Sequence, residues 1–274
     1  MHSLGIATIL GIVEGITEFL PVSSTGHLIV TGYLLGFVGD SASSFEVVIQ
    51  LGAILSVVLL YWRRFLGLFP APIRGLQTGA SNLDGWSGIW RITLATLPAL
   101  FVGYAARHVI KDELFNPTTV SFALAVGGVA ILLVERYAFG GSTKSLDQIT
   151  LGQAFGVGVF QVLALWPGTS RAAATIVGGM LLGLDRKSAA EFSFLIAVPV
   201  MFAATGYELI KMRHQMALQN SLQLGVGFIV SFIVALITVK LFVNFLQRGR
   251  LTPFAWYRIV VAPIFYLLTR GLSF

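Results

Sequence analysis

Apolar residues run almost unbroken through 45–62, 89–106 and 118–134, and again through 191–210, 222–242 and 253–270. Each run is close to the roughly 20 residues that an α-helix needs to cross a bilayer, so the pattern predicts six membrane-spanning helices. Segments 4–20 and 25–36 are too short or too polar to be two comfortable spans, and they are joined by Pro21-Val-Ser-Ser-Thr-Gly-His27. Irregular backbone of that kind is tolerated at membrane depth only where protein or a water-filled cavity surrounds it. The pair is expected to form a re-entrant hairpin buried among the spans.

The pattern occurs twice. Segment 18–36, EFLPVSSTGHLIVTGYLLG, resembles 164–183, ALWPGTSRAAATIVGGMLLG, with Pro21 facing Pro167, Ser24 facing Ser170, Thr25 facing Arg171, and both ending in Leu-Leu-Gly. After each comes a Ser-x-x-Glu that reads as a helix-opening capping box, Ser43 to Glu46 and Ser188 to Glu191. Later, 115–123 echoes 251–259, with Pro117 facing Pro253. One membrane domain over 1–274 then divides into a first repeat, 1–136, and a second, 151–274. A re-entrant pair makes no net crossing, so three spans per half invert the second. The expected fold is an all-α polytopic membrane protein of two inverted-topology repeats, each a re-entrant helical hairpin plus three transmembrane helices.

Composition agrees: 56% of residues are hydrophobic and only 11% charged, where a soluble domain carries roughly a quarter charged. Thirty Gly and nine Pro suit close-packed, locally broken membrane helices, and Gly127-Gly128 and Gly178-Gly179 read as helix contacts. Net charge is +6, but no basic run exceeds two residues, which argues against nucleic acid. There is no Cys and the four His are scattered, which removes thiolate and zinc chemistry. No basic segment precedes the first apolar run, so a cleaved signal peptide is not expected. Under the six-span topology Arg63, Arg64, Arg74, Arg91, Arg136, Lys144, Arg186, Lys187, Lys240, Arg248 and Arg250 share one side, against Arg107, Lys111, Lys211, Arg213 and Arg270. By the positive-inside rule the first side is cytoplasmic, and both termini face outward. Tryptophans near 62, 86–90, 166 and 256 suggest interface belts.

Ionisable groups inside a membrane are costly and point to function. Glu14 and Glu18, four residues apart, share a helix face, where two carboxylates repel unless a proton or a cation is shared. Oxygen-only ligation suggests Mg²⁺ or Ca²⁺, the usual companions of phosphate substrates. The hairpin tip offers Ser23, Ser24, Thr25 and Gly26 at a helix start, where free amides favour an anion, and His27 as an acid or base. The second tip offers Gly168, Thr169, Ser170 and Arg171, whose guanidinium can grip two phosphate oxygens, with Thr175 in support. If the tips meet near the midplane, Arg171 lies beside Glu14, Glu18, Ser24 and His27. Arg258 reads as a packing or interfacial anchor, Glu46 and Glu191 are accounted for by capping, and Gln50 and Gln161 are candidate supporting donors.

Glu14-Gly-Ile-Thr-Glu18, Pro21-Val-Ser-Ser-Thr-Gly-His27 and Pro167-Gly-Thr-Ser-Arg171 together resemble the undecaprenyl-pyrophosphate phosphatase family associated with bacitracin resistance, and the resemblance extends through 45–54 and 191–199. One position departs from the family pattern, Ala172 in place of a Ser after the Arg. The resemblance implies removal of the terminal phosphate from the C55 polyprenyl pyrophosphate released in cell-wall synthesis, outside the bacterial cytoplasmic membrane. It implies Glu14 and Glu18 on a divalent cation, Arg171 on the transferring phosphoryl group and Ser24 as nucleophile with His27 as proton partner. Direct attack by metal-bound water stays open. The polyprenyl tail would lie in a groove open to lipid, and the sequence leaves room for a homo-oligomer. The rival class is a lipid or small-molecule transporter, which inverted repeats with broken helices also serve.

Overall fold

The computed structural model describes residues 2–69, 81–137, 145–211 and 221–271. Among them no β-strand forms, and ten helices of eleven residues or more carry the architecture. In chain order these are α1 (His2–Thr17), α2 (Ser24–Leu34), α3 (Asp40–Leu60), α4 (Gly85–Ala105), α5 (Pro117–Tyr137), α6 (Leu151–Val162), α7 (Arg171–Leu181), α8 (Arg186–Lys211), α9 (Ser221–Leu246) and α10 (Thr252–Thr269). Of these, α3, α4, α5, α8, α9 and α10 are long and apolar enough to cross a membrane, the six that the hydrophobic runs predict. Arg74, Lys144 and Arg213, used in the charge count, lie outside the described residues.

Partners alternate between the halves. α1 packs on α2 and on α9; α6 packs on α7 and on α4; α3 lies against α8 and α9, and α5 against α10. Small residues allow the backbones to touch. A Cβ at Gly11 or Gly15 of α1 would meet Gly227 O or Ser231 O of α9 at 2.8 Å, and one at Gly158 of α6 would meet Ala95 O of α4 at 2.7 Å. Gly128 stands as close to Ala255 O across α5 and α10, and Gly178 and Gly179 face Phe160 and Ala189. The expected glycine contacts are therefore present. The outward faces carry Phe101, Leu241 and Leu267, all exposed, while Phe19, Phe192 and Phe194 are buried at the centre. Trp62, Trp86, Trp90 and Trp256 are exposed; Trp166 is half-buried against Phe122.

The capping boxes are not where the Ser-x-x-Glu spacing put them. α8 opens at Arg186, and Asp185 caps it, accepting from Ser188 N at 2.8 Å and Ser188 Oγ at 2.7 Å. α3 opens at Asp40, leaving Ser43 and Glu46 inside the helix. Capping thus explains neither Glu46 nor Glu191. Among the described residues the reciprocal box is Thr150 with Gln153, at the start of α6.

Polar contacts gather several helix ends at one pole. Arg64, just past α3, pairs with Asp147 ahead of α6 at 2.5 Å, and Arg91 of α4 donates to Ile149 O at 2.8 Å. Arg186 at the start of α8 grips Glu135 at the end of α5, and Glu135 also accepts from Leu251 N beside α10. The Arg64 guanidinium and the Ser81 hydroxyl hold the Asp147 carboxyl below the usual carboxylate range.

Candidate active site

Two matching turns build the site. Ser23, before α2, and Ser170, before α7, have φ of 73° and 70° and are the described non-glycine residues with positive φ. Such backbone costs about 1–3 kcal/mol and persists only where surroundings impose it. Gly36 and Gly183 close the two helices with equivalent bonds, Phe37 N to Gly32 O and Leu184 N to Gly179 O. This register pairs Ser23 with Ser170 and Ser24 with Arg171. The sequence alignment on Pro21 and Pro167 is one residue out, so Arg171 stands in the place of Ser24, not of Thr25.

The imposing group is Arg258, fully buried in α10. Its Nη1 donates to Pro21 O at 3.2 Å and its Nη2 to Gly168 O at 3.0 Å, one carbonyl from each turn. Its Nε and Nη2 also reach Leu124 O and Ala123 O of α5. A Cβ at Gly127 would collide with this guanidinium. Arg258 is an interior staple of the two turns and not an interfacial anchor. The turns also meet directly, Ser170 Oγ lying 3.5 Å from Leu20 O.

At the junction, Ser24 Oγ donates to Glu18 Oε2 at 2.6 Å, while Arg171 Nη2 lies 3.4 Å from Glu18 Oε1. Arg171 is oriented by Ser193 O, which accepts from Nη1 at 3.1 Å, and it lies over the Phe19 ring. Its buried Nε has no hydrogen-bond partner. Thr175, fully buried, bonds Arg171 O at 2.7 Å and Ser193 Oγ at 2.6 Å, so it supports the arginine's turn. A cavity of about 140 Å³ is lined by Glu18, Ser23, Ser24, Thr25, Gly168, Ser170 and Arg171, with Gln50 and Met201. Ser170 caps α7 by accepting from Ala173 N, whereas α2 has no side-chain cap and its ladder begins at His27 N. The amides of Ser24, Thr25 and Gly26 thus precede the first turn's bonds.

Other expected residues stand apart. Thr169 N donates to Trp166 O within its own turn. Gly26 and His27 line a separate apolar cavity with Tyr257 and Phe265. His27 Nδ1 is 2.7 Å from Ser23 O and Nε2 is 2.6 Å from Tyr257 OH, so the ring is engaged away from Ser24 Oγ. Gln161 donates to Ala95 O at 3.0 Å, docking α6 on α4, outside the site. Glu14 is 1% exposed, and neither carboxylate oxygen has a hydrogen-bond partner. It lines a larger cavity, about 350 Å³, that shares Ser24, Thr25 and Gln50 with the first and adds Glu46 and Glu208.

Arg258, Tyr257 and Ser193 carry contacts that the sequence did not announce. The one available signal was the charge of Arg258 within an otherwise apolar span.

A family model described as bacitracin resistance protein BacA matches residues 7–264. The chain is 55% identical over 265 residues to a protein of Maridesulfovibrio salexigens named undecaprenyl-diphosphatase, covering 96% of this chain and 98% of that one. Proteins of the same name from Solidesulfovibrio magneticus and Nitratidesulfovibrio vulgaris are 54% and 52% identical, over 93% and 97% of this chain and 94% and 98% of theirs.

Proposed function

The chain belongs to the bacitracin resistance protein BacA family, and from that membership and the site's geometry we infer that it hydrolyses undecaprenyl pyrophosphate to undecaprenyl phosphate and inorganic phosphate. The observation that carries the chemistry is one carboxylate, Glu18, bonded to a serine hydroxyl on one oxygen and facing a guanidinium on the other.

Ser24 attacks the terminal phosphorus. A bond forms from Oγ to phosphorus, the bond to the bridging oxygen breaks with its electrons leaving on undecaprenyl phosphate, and the Oγ proton passes to Glu18 Oε2. That proton then leaves to the product phosphate or solvent. Water adds to the phosphoserine, yields its proton to Glu18, and the P–Oγ bond breaks; Ser24 takes that proton and inorganic phosphate departs. Glu18 takes the base role in place of His27 because it already holds the Oγ proton's hydrogen bond. His27 instead braces Ser23, the strained residue that presents Ser24. Arg171, with a free buried Nε, stabilises charge on the transferring phosphoryl oxygens.

A divalent cation, Mg²⁺ or Ca²⁺, fits this donor set, because buried Glu14, whose two oxygens have no hydrogen-bond partner, lines a cavity that shares Ser24, Thr25 and Gln50 with the first. When bound, it would neutralise charge on the pyrophosphate. The two halves form inverted repeats with re-entrant hairpins α1–α2 and α6–α7. The reciprocal packing of α1 on α9 and α6 on α4 supports this, as do the paired turns at Ser23 and Ser170. The polar pole around Arg64, Arg91 and Arg186 is cytoplasmic, and the site opens to the periplasm.

The test is phosphate release from a polyprenyl pyrophosphate by purified wild type, Ser24→Ala, Glu18→Gln and Arg171→Ala, each checked for folding, with and without Mg²⁺ or Ca²⁺. The wild type should release phosphate with cation, and each variant should lose roughly 10²-fold or more. Folded wild type that releases none under either cation would move the assignment to a transporter of the same architecture.

A further inference from the structure

We propose that the divalent cation is held by Glu14 and Glu46, and not by the Glu14–Glu18 pair that the four-residue spacing suggests; this deepens the phosphatase reading and rests on it.

Glu18 is already committed. One of its oxygens accepts from Ser24 and the other faces Arg171, so each oxygen already has a partner and its charge has a cation beside it. Glu14 has no hydrogen-bond partner: both oxygens are buried and unbonded. A buried carboxylate left this way is costly unless it takes a proton or something cationic answers it. The cavity onto which it faces is not the one lined by Glu18 and Arg171. Its walls include Glu46 and Gln50, one helical turn apart on α3, and Ser24. A cation there would stand beside the nucleophile without displacing the arginine. Among the described residues no three His, Asp or Glu side chains converge as a metal-ligating group. Two carboxylates would then be the protein's charged contribution, with water, the Gln50 amide oxygen and substrate phosphate completing the shell, as Mg²⁺ commonly requires.

The second half supplies an independent argument. The register that pairs Ser23 with Ser170 continues into α3 and α8, where buried Ala42, Phe45 and Ile49 match buried Ala189, Phe192 and Ile196. In that register Glu14 faces Gln161 and Glu46 faces Ser193, two neutral residues, the first donating to Ala95 O and the second bonded to Thr175 Oγ1. Both acidic positions are neutral in the half that carries Arg171. One half thus presents carboxylates for a cation and the other a guanidinium for an anion, the two charges needed to hold a metal-bound pyrophosphate.

The experiment is calorimetric titration of Mg²⁺ into detergent-purified protein without lipid substrate, for wild type, Glu14→Gln, Glu46→Gln, Glu46→Asp and Glu18→Gln, with Tb³⁺ luminescence and Mg²⁺ competition as a second readout. Glu14→Gln and Glu46→Gln should each weaken binding by roughly tenfold or more, Glu46→Asp should recover part of it, and Glu18→Gln should stay within about threefold of wild type. Wild-type affinity in Glu46→Gln, or a loss in Glu18→Gln as large as in Glu14→Gln, would overturn the assignment, as would absence of Mg²⁺ binding by wild type. If Glu46→Gln fails to fold, Glu46→Asp decides: unchanged affinity in Glu18→Gln with a weakened Glu46→Asp supports the site, and the reverse sinks it. Intact cation binding with no phosphate release from wild type would instead defeat the phosphatase reading and leave the site standing.

Discussion

At the scale of single residues, the site depends on backbone carbonyls as much as on its acids. The Ser23 turn is held from two directions, Arg258 on Pro21 O and His27 Nδ1 on Ser23 O, and His27 is in turn held by Tyr257. Tyr257 stacks on His27 with ring centroids 5.6 Å apart. Tyr257→Phe keeps that stacking and removes only the hydroxyl. One hydrogen bond is worth about 1 kcal/mol, so kcat should fall roughly fivefold with KM little changed. A steady-state comparison in which kcat stays within about twofold of wild type would show that the tyrosine does not position the histidine. None of these links was legible in the sequence, because Tyr257 and Arg258 act on residues more than two hundred positions away. What the sequence did offer was residue type: acids, hydroxyls and an arginine where apolar side chains are the rule.

Among elements, the long spans were legible and their ends were not. Twenty apolar residues in a row leave a helix few alternatives, whereas Asp185 caps α8 from within a charged Asp-Arg-Lys string that gives no period to follow. The turn register slipped for a related reason. Matching prolines aligns Pro21 with Pro167, but the conformation that defines the turn is the positive φ of a serine, and it pairs Pro21 with Gly168. Helix glycines separate in the same way. Gly5 has open space around a Cβ, while Gly11, two turns along α1, is packed on Gly227 O. Gly5→Ala should therefore raise thermal stability, gaining up to about 1 kcal/mol of helix propensity. Gly11→Ala should lower it by about 1–3 kcal/mol, because α1 must move off α9. Melting both variants in the same detergent checks the contrast; equal shifts would mean that the α1–α9 contact is not close-packed.

For the whole molecule, the polar pole and the acidic cavity lie toward opposite ends. Arg64, Arg91 and Arg186 meet Asp147, Ile149 and Glu135 where α3 and α5 end and α4, α6 and α8 begin. The larger cavity draws Ser43 from the start of α3, Phe115 from the link into α5 and Glu208 from the end of α8. Those are the other ends of the same three spans. If the basic pole is cytoplasmic, as its arginines argue, then a charged pyrophosphate can reach Ser24 only from outside, while its polyprenyl tail stays among the exposed apolar faces. The chain has no Cys, so single cysteines report sidedness without background. Gln148→Cys sits exposed at the basic pole and Glu113→Cys exposed at the other. A membrane-impermeant maleimide added to intact cells should label Glu113→Cys at once and Gln148→Cys only after the membrane is opened. The inverse pattern would turn the site toward the cytoplasm, and with it the direction from which the substrate is drawn.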